Sequence, residues 1–196
     1  MEEMVSDIPP LISHEDRLRL ESPISEDEVK KAIWSLRPDK APGPDGFPIC
    51  FYRIFWSLVK KDLMRLISWM EKGNMGGATN STFLALIPKE LNPTSIKKFR
   101  PISLCKASYK IFSKVLSLRL KQIIPHLISP NQGGFISGRQ ISDNILLVQE
   151  AIHSSNKRGE RGMAIKLDLA NTFERLRHAF IILVIKKLGF PDVFTK

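Results

Sequence analysis

Apolar residues recur at helical spacing in five stretches of this sequence, and polar or proline-rich turns separate these stretches. The clearest helix start is Ser25 with Glu28 three residues later, which is the pattern of a capping box. The apolar positions that follow predict a helix that ends before Pro38. The same spacing predicts helices over about residues 51–71, 106–124, 142–155 and 173–188, with Pro125 closing the helix over 106–124.

Strands are predicted in three shorter apolar runs. Residues 82–88 and 99–104 flank a polar connection, which favours an antiparallel pair. Residues 163–169 alternate, so that Lys166 and Asp168 point away from the side that carries the larger apolar residues.

The charge of the chain is unevenly distributed. The formal net charge is +10, but acids dominate residues 1–28, whereas residues 89–121 carry nine lysines and arginines against Glu90 alone. A basic segment of this density fits a polyanionic partner. A solvated helix face is the alternative explanation that the charge pattern leaves open.

Cysteine content and apolar content suggest the cellular compartment. Cys50 and Cys105 are too few for a disulfide framework and lack the spacing of a zinc site. The acidic N-terminus has no signal-peptide core, and no apolar run reaches the length of a membrane span. We therefore expect an intracellular protein of the nucleus or cytoplasm, with no membrane partner.

Six short motifs follow one another along the chain. They are KAPGPDGF at residues 40–47, LIPK at 86–89, FRPISL at 99–104 with YKI at 109–111, NQGGF at 131–135 with GR at 138–139, DN at 143–144, and IKLDL at 165–169. Their order and wording resemble the reverse transcriptase domain of non-LTR (LINE-type) retrotransposons, most closely the plant type. The resemblance extends from about residue 22 to the C-terminus.

This resemblance implies an α+β fold of the right-hand polymerase type and its partners. Residues 1–21 would be an acidic N-terminal tail, residues 22–160 a helical extension and fingers with the antiparallel strand pair, and residues 161–196 the first strand and helix of an incomplete palm. The implied activity is RNA-directed DNA polymerisation. Its partners would be an RNA template, a DNA primer and deoxynucleotides, with Mg²⁺ as the metal.

The resemblance also assigns roles to individual residues. Arg100 would contact the triphosphate of the incoming nucleotide, because an arginine offers a two-pronged fork to phosphate, and Lys89 would assist it. Gln132, Phe135 and Arg139 would line the template path, where neighbouring glycines let a phosphate backbone approach. For each of these residues a purely structural or surface role is the alternative.

The catalytic assignment falls on Asp168, at the end of the predicted strand. In the resembled family, this carboxylate binds both Mg²⁺ ions, with a backbone carbonyl from Leu169. Phe173 would lie under the sugar and exclude a 2′-hydroxyl, although a first-turn core aromatic is the alternative. The family usually reads Lys-Ala-Phe/Tyr-Asp at this point, whereas this chain has Asn-Thr-Phe-Glu at residues 171–174.

A second catalytic carboxylate motif of the Ala-Asp-Asp type is not found in the sequence. Two-metal phosphoryl transfer needs more than one carboxylate, so we expect this polypeptide to be inactive as a polymerase by itself. Two alternatives to a polymerase component remain. One is a non-catalytic RNA-binding fragment of a transposable element, and the other is a pseudogene product without function.

Overall fold

A computed structural model describes residues 5–77, 79–159, 163, 165, 167 and 175–195. The helices are α1 (His14–Glu21), α2 (Glu26–Ser35), α3 (Ile49–Ile54), α4 (Trp56–Glu71), α5 (Ala107–Leu127), α6 (Ile141–Arg158) and α7 (His178–Lys187), and the strands are β1 (Thr82–Pro88) and β2 (Phe99–Cys105). Short 3₁₀ turns cover Ile96–Lys98 and Asp192–Phe194. Helices with one small antiparallel strand pair agree with the predicted α+β class.

The strand pair and the capping box confirm two predictions from the sequence. β1 pairs with β2 in an antiparallel register that runs from Thr82 opposite Cys105 to Pro88 opposite Phe99. At the start of α2, the Ser25 hydroxyl accepts from the backbone N–H of Glu28, whose carboxylate accepts in return from the Ser25 backbone N–H. This reciprocal pair satisfies two N–H groups that the first helical turn leaves free.

The predicted helix over residues 51–71 is two helices in the structure. Phe55, with φ of −99° and ψ of 24°, ends α3 and precedes α4. Neither proline nor glycine marks this break in the sequence. Its effect is to turn Leu58, which the apolar spacing placed in the core, outward to 74 % exposure.

The predicted end of the next helix was also wrong. α5 continues through Pro125 to Leu127. The N–H of Ile128 still donates to the carbonyl of Ile124, and an arginine side chain accommodates the remaining carbonyls at this end of the helix. A proline has no N–H for the carbonyl four residues earlier and its ring crowds that carbonyl, so α5 continues past Pro125 with the loss of one helical bond.

The last predicted helix and the third predicted strand differ from the structure where the residues are described. α7 begins at His178, since Leu176 and Arg177 lie outside any helix. Met163, Ile165 and Leu167 belong to no strand and are 84 %, 69 % and 84 % exposed. The prediction of a strand therefore fails at these three residues, and the other residues of 163–169 lie outside the described ones.

The chain divides into two compact units. The first, which we call the hairpin unit, comprises residues 21–120, and the second, which we call the loop unit, comprises residues 5–20 with 121–195 among those described. The core of the hairpin unit is made by α2, α4 and α5, whose innermost side chains are Ile33, Ile67 and Ile111, each 0 % exposed.

The N-terminal residues form part of the loop unit. The sequence analysis treated residues 1–21 as an acidic tail, whereas the structure has a helix there, α1. Ser13 caps it by accepting from the backbone N–H of Asp16. Upstream, the backbone N–H groups of Leu11 and Ile12 both donate to the carbonyl of Leu188, at 3.0 and 3.1 Å.

Candidate nucleic-acid interface

The β1–β2 hairpin projects a basic surface. Between residues 82 and 105 the sequence carries four cationic side chains, Lys89, Lys97, Lys98 and Arg100, against Glu90. Large apolar side chains on both faces of the hairpin are exposed, including Phe83 at 58 %, Leu84 at 65 %, Leu86 at 48 % and Ile102 at 42 %. An exposed ribbon that combines cations with apolar and aromatic side chains has the chemistry of a nucleic-acid-binding surface.

The strand register places Lys89 and Arg100 on one face of the hairpin. Arg100 lies opposite Ile87, and Lys89 is two residues beyond Ile87, with its N–H donating to the carbonyl of Lys98 at 2.8 Å. Because side chains alternate along a strand, positions 87, 89 and 100 share a face. Two cations on one face can meet two oxygens of the same phosphate chain.

These cations differ in how the protein itself uses them. Lys98 pairs with Glu90 at 2.6 Å, and the ammonium of Lys89 donates to the carbonyl of Lys97 at 2.9 Å. Among the residues that the structure describes, the Arg100 guanidinium has no hydrogen-bond or ion-pair partner. Arg100 therefore retains all its donors for a ligand, whereas Lys89 has one already engaged.

The proline- and glycine-rich loop at residues 40–47 lies against the base of the hairpin. A Cβ on Gly43 would come within 2.4 Å of the carbonyl carbon of Cys105 and 2.5 Å of the Lys106 nitrogen. The Lys110 ammonium donates to the carbonyl of Ala41 at 2.9 Å. The loop thus fixes the point at which β2 passes into α5, a role that its turn chemistry alone does not reveal.

Tyr52 lies in the helix that follows this loop. Burial, and secondly the negative charge of Asp45, raise the pKa of the Tyr52 hydroxyl to about 12. Tyr52 therefore stays neutral throughout the physiological range and packs against the core as a partly buried aromatic.

The second predicted contact region is the loop between α5 and α6. Arg139 donates to four backbone carbonyls, namely those of Pro125, Ile128, Ser129 and Gln132. Its guanidinium thereby caps the C-terminal end of α5, where helix carbonyls lack partners. The geometry gives Arg139 a structural role, while Gln132 and Phe135 remain exposed on the same loop.

The other predicted site residues cannot be placed. Asp168, Leu169 and Phe173 lie outside the described residues. Within the described part of the chain, no group of three histidine, cysteine, aspartate or glutamate side chains could hold a metal ion. The described residues therefore supply no group of three such ligands for Mg²⁺.

Two arginines with structural roles were missed by the sequence analysis. Arg119 binds the Glu28 carboxylate through two nitrogens, at 2.7 and 2.9 Å, and also donates to the carbonyl of Ser22. Arg53 donates to the carbonyls of Ile33, Trp34 and Leu36 at the end of α2. The sequence gives no signal for either set of contacts, because each joins helices or turns that are distant along the chain.

Comparison with known proteins defines the class. The family model described as reverse transcriptase (RNA-dependent DNA polymerase) matches residues 87–195, which is more than half of the chain. The chain belongs to the reverse transcriptase family. This confirms the family that the motif order indicated, and the family as a whole uses a divalent metal, an RNA template and nucleotide substrates.

Individual relatives come from transposable elements. The chain is 33 % identical over 187 residues to the Transposon TX1 uncharacterized 149 kDa protein of Xenopus laevis, covering 95 % of this chain and 14 % of that protein. It is 28 % identical over 177 residues to the Retrovirus-related Pol polyprotein from type-2 retrotransposable element R2DM of Drosophila melanogaster, covering 90 % of this chain and 16 % of that protein. The chain is thus a homologue of non-LTR retrotransposon proteins and spans about a sixth of their length.

A third relative is named for the activity. The chain is 25 % identical over 179 residues to the Probable RNA-directed DNA polymerase from transposon BS of Drosophila melanogaster, covering 86 % of this chain and 19 % of that protein. Among the described residues, no helix of the chain is long and apolar enough to cross a membrane.

Proposed function

We propose that this chain binds RNA and an incoming deoxynucleotide as part of an RNA-directed DNA polymerase of a LINE-type retrotransposon, of the plant type by its motif wording. The observation that carries the proposal is the basic hairpin with Arg100, whose guanidinium has no partner among the residues that the structure describes. Family membership supports it, because a polymerase must bind the phosphates of template and substrate.

The hairpin is the part of this proposal with the most explicit geometry. Arg100 is exposed and shares a face with Lys89. A guanidinium can bind two phosphate oxygens at once, whereas an ammonium acts as a point charge. We assign the triphosphate contact to Arg100, with Lys89 as its helper.

Asp168 completes the proposal as the metal-binding carboxylate, with Leu169 offering a backbone carbonyl and Phe173 excluding the 2′-hydroxyl. These three roles rest on the motif resemblance. Bound Mg²⁺ would neutralise charge on the phosphates during transfer, which is the usual contribution of the metal in phosphoryl transfer.

RNA binding by the chain should depend strongly on salt. If about three cations contact phosphates, the logarithm of the binding constant falls with the logarithm of salt at a slope of roughly −2, so affinity drops about fifteenfold from 50 to 200 mM salt. The measurement is fluorescence anisotropy of a labelled single-stranded RNA. Binding that does not change with salt would contradict the proposal.

A matched pair of variants locates this binding on the hairpin. Lys97→Glu with Arg100→Glu should weaken RNA binding about 10- to 100-fold at 50 mM salt, because two phosphate contacts become repulsive. Lys31→Glu with Lys61→Glu makes the same change of net charge at exposed positions of α2 and α4 and should cost at most about threefold. Equal losses in both double variants would show that only net charge matters.

The 196-residue polypeptide alone should give no primer extension on an RNA template with Mg²⁺ or Mn²⁺. Asp168 is the carboxylate that the motif pattern assigns to the metals, and one carboxylate does not hold two ions in line for attack. The measurement is incorporation of labelled deoxynucleotide, with a known reverse transcriptase as the positive control. Incorporation that Asp168→Ala abolishes would refute this expectation.

A further inference from the structure

Phe135 has two properties that rarely occur together in a folded protein. Its side chain is fully exposed, at 109 % of the reference value, and its backbone has a φ of 64°. Positive φ is the left-handed region, which bulky residues avoid because the Cβ approaches backbone atoms. Phe135 is the one non-glycine residue with positive φ among those described.

The loop that carries Phe135 is held firmly at both ends. On one side, Arg139 binds the carbonyls of Gln132 and Pro125 at 2.9 and 3.1 Å, which ties the loop to the end of α5. On the other side, the Asn144 amide of α6 donates to the carbonyl of Asn131 at 3.3 Å. The exposed ring is therefore presented by an anchored backbone.

Close packing beside the ring supports the same conclusion. Gly133 is buried, and a Cβ at that position would lie 3.0 Å from the Asn144 amide nitrogen and 3.3 Å from the Gln140 carbonyl oxygen. The loop thus fits tightly against the start of α6. A strained conformation persists only where the surrounding structure fixes it, and such residues cluster at ligand-binding positions.

We infer that Phe135 is a stacking platform for an unpaired base of single-stranded RNA, and that Arg139 acts as a positioning residue that holds the platform in place. This inference rests on the proposed function. A base offers a flat π face to an aromatic ring, and such stacking is largely independent of sequence. A flat ring fits the face of one base, whereas a protein partner would use the apolar side chains that are exposed along α6, including Ile145, Leu146 and Leu147.

The chemistry of the surrounding loop agrees with this assignment. Gln132 and Ser137 are exposed and can bond to sugar or phosphate, while Gly134 leaves the approach to the ring open. Because its donors are directed to backbone carbonyls of the loop and of α5, Arg139 acts on RNA through the position of Phe135.

The test compares two ligands of equal length, a single-stranded oligoadenylate and an abasic ribose-phosphate oligomer that has the charges but no bases. We expect the wild-type chain to bind the oligoadenylate about tenfold more tightly in an anisotropy titration at fixed salt. Phe135→Ala should remove this preference and leave the affinity for the abasic oligomer unchanged.

Further variants separate stacking from folding. Phe135→Gly removes the ring and also relieves the strained φ, so the chain should fold at least as well and still lose the preference. Phe135→Trp should keep the preference and Phe135→Leu should lose it, because leucine is apolar but not flat. Leu58→Ala, at a 74 % exposed position on α4, is the control and should change neither affinity.

Arg139→Lys tests the positioning role. A lysine lacks the planar fork that contacts four carbonyls, so the loop should loosen and the preference for bases should fall. In that variant, faster amide exchange over residues 129–135 should accompany the fall. A preference unchanged in Arg139→Lys would overturn this part of the inference.

The outcomes are distinct. Equal binding of both oligomers by the wild type, or a preference that survives Phe135→Gly, overturns the stacking platform and leaves the proposed function intact. An equal loss of affinity for both oligomers in the Phe135 variants also overturns the stacking platform, since stacking cannot act on a ligand without bases. A folded wild-type chain that binds neither oligomer overturns the proposed function as well.

Discussion

Gly43→Ala is expected to lower the free energy of unfolding by about 2–3 kcal/mol, the upper range for an atom forced into a packed site. The added Cβ would meet the backbone of Cys105 at 2.4 and 2.5 Å, and backbone atoms cannot rotate away as a flexible side chain can. The base of the hairpin must therefore shift. Urea denaturation followed by tryptophan fluorescence measures the loss.

Gly77→Ala is the matched control for this prediction. Nothing lies within 4 Å of a Cβ at that position, and its backbone does not adopt positive φ. Its stability should stay within about 0.5 kcal/mol of the wild type or rise slightly, because alanine restricts the unfolded chain. If Gly43→Ala were as stable as Gly77→Ala, the loop would not be packed on the hairpin as described.

Arg119→Ala should also have a large effect and lower the free energy of unfolding by about 2–3 kcal/mol. The Arg119 side chain is 9 % exposed, and its removal takes away its bonds to the Glu28 carboxylate and to the carbonyls of Ser22 and Pro23, although Glu28 keeps its bonds from Ser25. Breaking a fully buried ion pair costs roughly 3–5 kcal/mol, and the 33 % exposure of Glu28 reduces that figure. Arg65→Ala, whose pair with Asp62 is 82 % exposed on both sides, should cost at most about 0.5 kcal/mol.

The difference in stability between the wild type and Arg119→Ala should depend on pH, and this dependence tests the ion pair directly. The Arg119 hydrogen bond, and next the bond from the Ser25 backbone, hold the pKa of Glu28 at about 2, below its usual value of 4.5, while partial burial opposes them. Because the folded-state pKa is the lower one, the stabilisation is fully present above about pH 4.5 and is lost as pH falls towards 2. The stability gap between wild type and Arg119→Ala should narrow over that window. A gap that is constant from pH 5 to pH 2.5 would exclude the ion pair as its source.

Local signals in the sequence predicted the local structure well. The capping box at Ser25 and the hairpin were readable because capping and strand pairing act over a few residues or across one short connection. The helix α1 has a similar signal in Ser13 and Asp16, within the residues that the charge pattern predicted to be an acidic tail.

Features that depend on tertiary contacts were not predicted from the sequence. A proline ordinarily ends a helix, but here Pro125 lies in the last turn, and carbonyls at that end accept from Arg139 of the loop that follows α5. The outward position of Leu58 follows from the break at Phe55, which no breaker residue marks. In both cases, packing overrides the local preference.

The candidate site was predicted in part for the same reasons. Motif order indicated the family and singled out Arg100, whose exposure and face follow from simple strand alternation. The same motif placed Arg139 beside the template, although its donors bind carbonyls of the protein. A motif singles out a residue but does not distinguish a contact with the ligand from a support for the contact.

The bonds from Leu11 and Ile12 to the Leu188 carbonyl have a consequence for synthesis of the chain on the ribosome. The acceptor at position 188 is synthesised 176 residues after the second donor at position 12 (188 − 12 = 176). At a translation rate of roughly 5–20 residues per second, the delay is on the order of ten seconds. During that time the N–H groups of Leu11 and Ile12 lack this acceptor, while residues 21–120 can already assemble their own core.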